Sequence, residues 1–164
     1  MIPFSYFRGR KGQMMVEATI AITIAVIGLL GIFSLTSNSL GETQIVTSQY
    51  VGSNLAAEGI EIVKNLIDKN VLQNQPWNVG ITAGDYEGDY SATALSPFTG
   101  SPLLFDPATG LYQYGTGNTT SYVRKITIDT VSADEIKVTS YVSWTTRGGA
   151  AFNVDAEDYF YNWR

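Results

Sequence analysis

The residues able to do chemistry in this 164-residue chain are few, and most of them sit near its start. Arg8, Arg10 and Lys11 lead to Gly12 and Gln13, and then to Glu17 near the head of a long apolar run that ends at Leu35. A carboxylate in such a run costs about 2.5–3.5 kcal/mol if it lies at the centre of a bilayer, so intramembrane acids are usually kept for a purpose. A second group, Asp85, Glu87 and Asp89, alternates along Asp85-Tyr-Glu-Gly-Asp89. That spacing makes these three weak calcium candidates, because it lacks the twelve-residue ligand pattern and the closing Glu of a calcium loop. Asn118-Thr119-Thr120 matches a glycosylation sequon and is read here as a polar turn.

What is missing narrows the chemistry further. There is no histidine and no cysteine, which removes the commonest general base, the usual nucleophilic triads and dyads, the common zinc sites and any disulfide framework. No catalytic residues, cofactor or resident metal are expected, and the chain is not read as an enzyme. The cations are concentrated at the start. Without Arg8, Arg10 and Lys11, seven cations face fifteen acids from Gln13 onward, a net charge of −8. A body so acidic is not expected to bind nucleic acid directly.

The elements that must position these groups follow from patterning. Met14 to Leu35 would rise about 33 Å as a helix at 1.5 Å per residue, which matches the roughly 30 Å hydrocarbon core of a bilayer. The basic residues before it place the N-terminus in the cytoplasm and the remainder outside. The run exceeds a secretory h-region of roughly 7–15 residues and ends without an Ala-x-Ala site. No proline interrupts the chain between Leu35 and Pro76, so the helix is expected to continue to about Asn70. From Thr43 onward, Thr43, Thr47, Asn54, Glu58, Glu61 and Asn65 fall on one narrow polar stripe, and apolar residues occupy most of the rest. That arc is wider than one buried face requires, as if the helix both covers its own body and meets neighbouring helices. Glu58 and Glu61 are read as a solvated face, with Lys64 as an i,i+3 partner for Glu61.

Asn74 to Ser101 reads as loop with one short strand. Asp106-Pro-Ala-Thr-Gly110 is turn chemistry between two short strands. Tyr122–Asp129 and Ile136–Trp144 alternate as strands, Val131–Asp134 turns between them, and Arg147-Gly148-Gly149 leads into a last strand from Ala151 to about Tyr161 whose tail, Asp155–Asp158, has helical potential. The fold class is α+β: a long N-terminal helix, with a membrane half and an amphipathic half, packed on a small antiparallel sheet. The predicted divisions are a basic leader at 1–12, a transmembrane or filament-core half at 13–36, an amphipathic half at 37–73, and a loop and sheet body at 74–164.

The string Lys11-Gly12-Gln13-Met14-Met15-Val16-Glu17 resembles the processing site of type IV prepilins. In that family a dedicated peptidase cuts after a Gly on the cytoplasmic side, the new terminus is N-methylated, and Glu stands at the fifth mature position. The resemblance implies cleavage between Gly12 and Gln13, methylation at Gln13, and an assembly role for Glu17, which would pair with a neighbouring subunit's terminus. Gln13 departs from the Phe or Met usual at the first mature position, and Ser34 stands where the family often has Pro. Leu55 to Asp68 is similar to the helix segment of minor pilins of the pilus-modification kind, and the stretch IKVTSYVSWTTRGG, followed by a closing strand, resembles minor pilin bodies. The resemblance implies a pilin-like fold and a structural minor subunit of a type IV pilus. Its implied partners are other pilin subunits, prepilin peptidase, the assembly platform and, before assembly, the inner membrane of a bacterium, crossed once. Its implied destination is an extracellular pilus, with adhesion or motility as roles. A pseudopilin of a type II secretion or DNA-uptake system is the alternative, and a globular binding domain on a single-pass anchor ranks below both.

Overall fold

A computed structural model describes residues 10–146 and 148–162, with side chains from Gly12 onward. The leader at 1–12 thus lies mostly outside the described residues, as does Arg147 of the expected turn. One helix, α1, spans Arg10–Leu72. Eight strands follow: β1 (Gly84–Glu87), β2 (Ser96–Pro97), β3 (Leu104–Asp106), β4 (Leu111–Gln113), β5 (Asn118–Thr119), β6 (Val123–Ser132), β7 (Glu135–Thr145) and β8 (Ala151–Tyr161). They form a five-stranded sheet in the order β2-β1-β6-β7-β8 and a three-stranded sheet in the order β4-β3-β5, with every pairing antiparallel. The chain divides into two compact units, Met1–Gln44 and Ile45–Arg164, and each is described by itself.

In the second unit the 3.6-residue period of α1 sets what is buried. Gly52, Leu55, Ala56, Gly59, Ile62, Val63, Leu66, Ile67 and Asn70 form one covered stripe. The sheet answers with its period of two: Arg124, Ile126 and Ile128 on β6, and Ile136, Val138, Ser140, Val142 and Trp144 on β7, all face the helix and are buried. The α+β arrangement expected from patterning is therefore the one observed, a helix laid on an antiparallel meander in the general pilin-like manner.

The apolar core falls into two clusters. Ile62, Val63, Leu66 and Ile67 pack with Trp77, Ile81, Ile126, Ile128, Ile136 and Val138, while Leu55 and Ala56 pack with Leu103, Val142 and Trp144. Between them along α1 stands Gly59, and between them along β7 stands Ser140. A methyl group added at Gly59 would collide with Ser140 Oγ and lie 2.9 Å from its Cβ and 3.2 Å from Arg124 Cδ. The glycine is thus a contact point where helix and sheet meet without a side chain between them. Gly52 plays the same part under Trp144, whose ring atoms would come within 2.5 Å of an added methyl.

The helix stops for local reasons. Asn74 takes a left-handed conformation, φ 55°, which asparagine tolerates better than most residues. Gln73 N–H donates to Lys69 O at 3.0 Å and Gln75 N–H to Asn70 O at 2.9 Å, satisfying carbonyls that the helix end would orphan. Pro76 then prevents resumption.

The hairpin read at Asp106–Gly110 is present. Asp106 Oδ1 accepts from Ala108 N–H at 2.9 Å, and Gly110 closes the turn at φ 75°. Three local expectations are corrected. Asn118-Thr119 is not a turn but strand β5, paired with Leu104 and Phe105 of β3. The loop before Ser101 holds two short strands, β1 and β2, rather than one. Asp155–Asp158 is strand throughout: it pairs with Tyr141, Ser140, Thr139 and Val138, and Lys137 Nζ holds Glu157 at 2.7 Å. A helical turn there would strip β7 of its outer partner.

Gly59→Ala is expected to destabilise the fold by about 1–3 kcal/mol through overpacking. Gly41→Ala, with nothing within 4 Å of the added methyl, should be neutral or stabilising by up to about 1 kcal/mol. Thermal melts of the two variants beside the parent check this; equal melting temperatures would contradict it.

Candidate functional site

The first candidate site lies in the unit up to Gln44. Gly12 to Leu35 is helical, and every side chain in it is exposed; Met15, Phe33 and Leu35 stand 74%, 74% and 72% open. By length and composition this helix can cross a membrane. Its threonines are satisfied inside the helix: Thr19 donates to Val16 O at 2.8 Å and Thr23 to Thr19 O at 2.7 Å, as does Thr36, just beyond Leu35, to Ile32 O at 2.9 Å. This is what lipid or a neighbouring helix demands of a polar side chain.

Glu17 is the exception. Gln13 and Glu17 are four residues apart and share a face with Val16, Ile20, Ala21 and Ile24. No ion pair or hydrogen bond reaches the Glu17 carboxylate among the described residues. After Lys11 the sequence offers no cation until Lys64, so a partner supplied from within the helix beyond Gln13 is not available. What the arrangement can do is accept a cation brought from outside. An ammonium close to a carboxylate in a low-dielectric setting gains far more than it would in water.

The second unit contains a buried charge that patterning placed on the correct face but did not single out. Arg124 is fully buried on β6. Its Nη1 donates to Leu55 O of α1 at 3.1 Å, and its Nη2 to Gly88 O in the loop after β1. Glu58 Oε1 lies 3.4 Å from Nη1 and is the pairing charge. Glu58 is thus not part of a solvated face, whereas Glu61 is, paired with Lys64 at 3.1 Å. The signal that could have found this was the mismatch of a lone Arg aligned with Ile126 and Ile128, with Glu58 at the edge of the apolar arc of a facing helix. Arg124 Nε and Ser140 Oγ, both buried, have no hydrogen-bond partner among the described residues.

The acidic alternation at 85–89 is drawn apart. Asp85 accepts from Thr127 Oγ1 at 2.7 Å and pairs with Lys125 at 3.5 Å. The Thr127 hydrogen bond, with help from Lys125, holds its carboxyl below the usual range. Glu87 accepts from Thr99 N–H and Oγ1, both at 3.0 Å. Asp89 accepts from Ser91 N–H, Ser91 Oγ and Tyr114 N–H. Burial works to raise Asp89, but these hydrogen bonds and the charge of Arg124 together keep it lowered. Each carboxylate serves a different part of the loop, and no three His, Cys, Asp or Glu side chains converge as a metal site among the described residues.

Tyr114 closes this polar region. Its hydroxyl donates to Arg124 O at 3.4 Å. Burial above all pushes the phenol up to about 12, with Glu87 and Asp89 adding to the shift and Arg124 opposing it.

No protein-family model, curated protein or solved structure matches this chain. The geometry and the sequence pattern therefore carry the functional reading.

Arg124→Met should cost about 3 kcal/mol, because it leaves Glu58 without its pairing charge and the Leu55 and Gly88 carbonyls without their donor, and denaturant unfolding will measure it. For Tyr114, the folded value lies above the unfolded value of about 10, so its contribution is complete below pH 10 and is lost as pH rises toward about 12. Tyr114→Phe should therefore flatten the alkaline fall in melting temperature over that window; an unchanged slope would contradict the assignment.

Proposed function

We propose that this chain is a minor structural subunit of a type IV pilus, stored in the membrane, cut after Gly12 and assembled through its apolar helix. Its role is mechanical and non-enzymatic. The observation that carries the reading is Glu17: a carboxylate with no partner among the described residues, one helical turn from Gln13, on an apolar helix with no cation between Gln13 and Lys64. Cleavage between Gly12 and Gln13 would create an ammonium at Gln13, the charge that Glu17 lacks. On a neighbouring subunit that ammonium sets the axial register of the growing filament, and methylation at Gln13 would modify the same group. A buried pair of this kind contributes more to register than to net stability.

The remainder of the helix supports the same reading. Its glycines at 28, 31 and 41 have nothing within 4 Å, which leaves room for other helices to approach closely. In the second unit, Val46 and Tyr50 are exposed although they lie on a helix that packs against its own sheet farther along. An apolar surface left open on a folded body marks an interaction site. Prepilin peptidase, the assembly platform and other pilin subunits are the partners this scheme requires, and the inner membrane followed by the extracellular pilus is its itinerary.

Co-expression with an active prepilin peptidase, followed by mass spectrometry of the terminus, is expected to find Gln13 first. An intact Met1 in the membrane fraction would overturn the proposal. Glu17→Ala should leave cleavage largely unaffected while lowering recovery in sheared filaments severalfold, and normal incorporation would remove Glu17 from any register role.

A further inference from the structure

A half-enclosed cleft of about 360 Å³ lies beside the end of α1, between the helix cap and the end of β8. Its size is at the lower end of the roughly 300–1,000 Å³ of small-molecule sites, enough for a ligand of one or two rings. Ile67, Val71 and Pro76 give it an aliphatic side, and Trp77 and Tyr161 give it two aromatic residues. Its polar groups are Asp68 and three carboxamides, Asn74, Gln75 and Asn162.

Both rims are fixed before any ligand arrives. On one side, the Asn70 carboxamide donates to Trp77 O at 3.1 Å and to Val79 O at 2.9 Å, tying the loop to the helix just before the left-handed Asn74. On the other, Asn162 donates from its backbone to Asp134 O and from its side chain to Asp134 Oδ1, both at 2.9 Å. The side chains of Asp68, Asn74 and Gln75 have no partner among the described residues, so their hydrogen-bonding capacity is unspent. Preorganised rims with unspent polar groups lower the ordering cost of binding.

The lining selects a ligand class. Among the described residues it contains no Lys or Arg, which disfavours an anion, and its lone carboxylate is short of what a divalent cation recruits. Carboxamides both donate and accept, which matches adjacent hydroxyl groups, each of which does the same. Aromatic and aliphatic side chains match the C–H faces of a ring. We propose that this cleft binds a neutral sugar residue, stacked against Tyr161, which is exposed while Trp77 is packed in the core, and held by Asn74 and Gln75. The site belongs to the folded body and does not depend on how the N-terminal helix is used.

Full-length protein in lipid nanodiscs can be titrated with methyl β-glucoside, methyl β-galactoside and N-acetylglucosamine, followed by saturation-transfer NMR and calorimetry. At least one of these should saturate with a Kd in the millimolar range, typical of a small, shallow contact. The double variant Asn74→Gly/Gln75→Ala keeps the left-handed cap and should melt like the parent while binding about tenfold more weakly, the loss expected from unmade hydrogen bonds. Absence of saturable binding by all three sugars would overturn the proposal. So would undiminished binding by the double variant, or tighter binding of glucose 6-phosphate or methylammonium than of any neutral sugar.

Discussion

The folded body depends on one buried guanidinium. Arg124 is fixed on β6 and reaches Leu55 of α1, Gly88 of the loop after β1, and Glu58, so one side chain ties three segments together. A cation so deeply placed is tolerable only because it is paired and hydrogen-bonded. The space it occupies exists because Gly59 and Ser140 keep that level of the helix–sheet contact free of bulk. The two apolar clusters lie on either side of this polar level, and neither would close over an unpaired charge. With no cysteine in the chain, the body is held by such noncovalent contacts and not by disulfides.

A second consequence concerns the loop region. Asp89 lies close enough to feel the charge of Arg124 and holds Tyr114 N–H, while Tyr114 returns to Arg124 O. The three-stranded sheet is joined to β6 nearby, where Leu103 N–H donates to Tyr122 O at 2.8 Å and Thr120 Oγ1 donates to Leu103 O at 2.6 Å. Aromatic contacts continue the link: Tyr112 meets Tyr122, Tyr122 meets Trp144, and Trp144 stacks on Phe152 at 5.9 Å. A segment that reads as Gly- and Asp-rich loop is thus held through side chains rather than through a long strand.

The first unit follows different physics. Its helix has side chains exposed on every face from Gly12 to Leu40, an arrangement that water would punish and that lipid or other helices would not. Glu17 stands out there because every hydroxyl described near it is satisfied internally and it is not. The two units therefore differ in kind: one closes on itself around a paired charge, and the other carries an exposed apolar surface with a carboxylate that has no partner among the described residues.

Much of this was legible in the residues. The apolar run, the uninterrupted helix, the alternation of Tyr122–Asp129 and Ile136–Trp144, and the Asp106–Gly110 turn each rest on local patterns, and each reappears in the structure. Gly12, Gln13 and Glu17 lie along one helix, and the roles proposed for them rest on that spacing alone. The pairing of Arg124 with Glu58, the strand at Asn118-Thr119 and the dispersal of Asp85, Glu87 and Asp89 were not legible in the residues. Those depend on which distant segment comes to lie opposite, and β5 becomes a strand only because β3 is there to pair with it. The sequence by itself determined the helix, the meander and the solitary charge at the start, since each follows from periodicity and solvation over a few turns. Only the tertiary structure decided that Glu58 would leave the solvated face and that a glycine would mark the crossing of helix and sheet. Both outcomes follow from a charge on β6 that must find its partners across the packed interface.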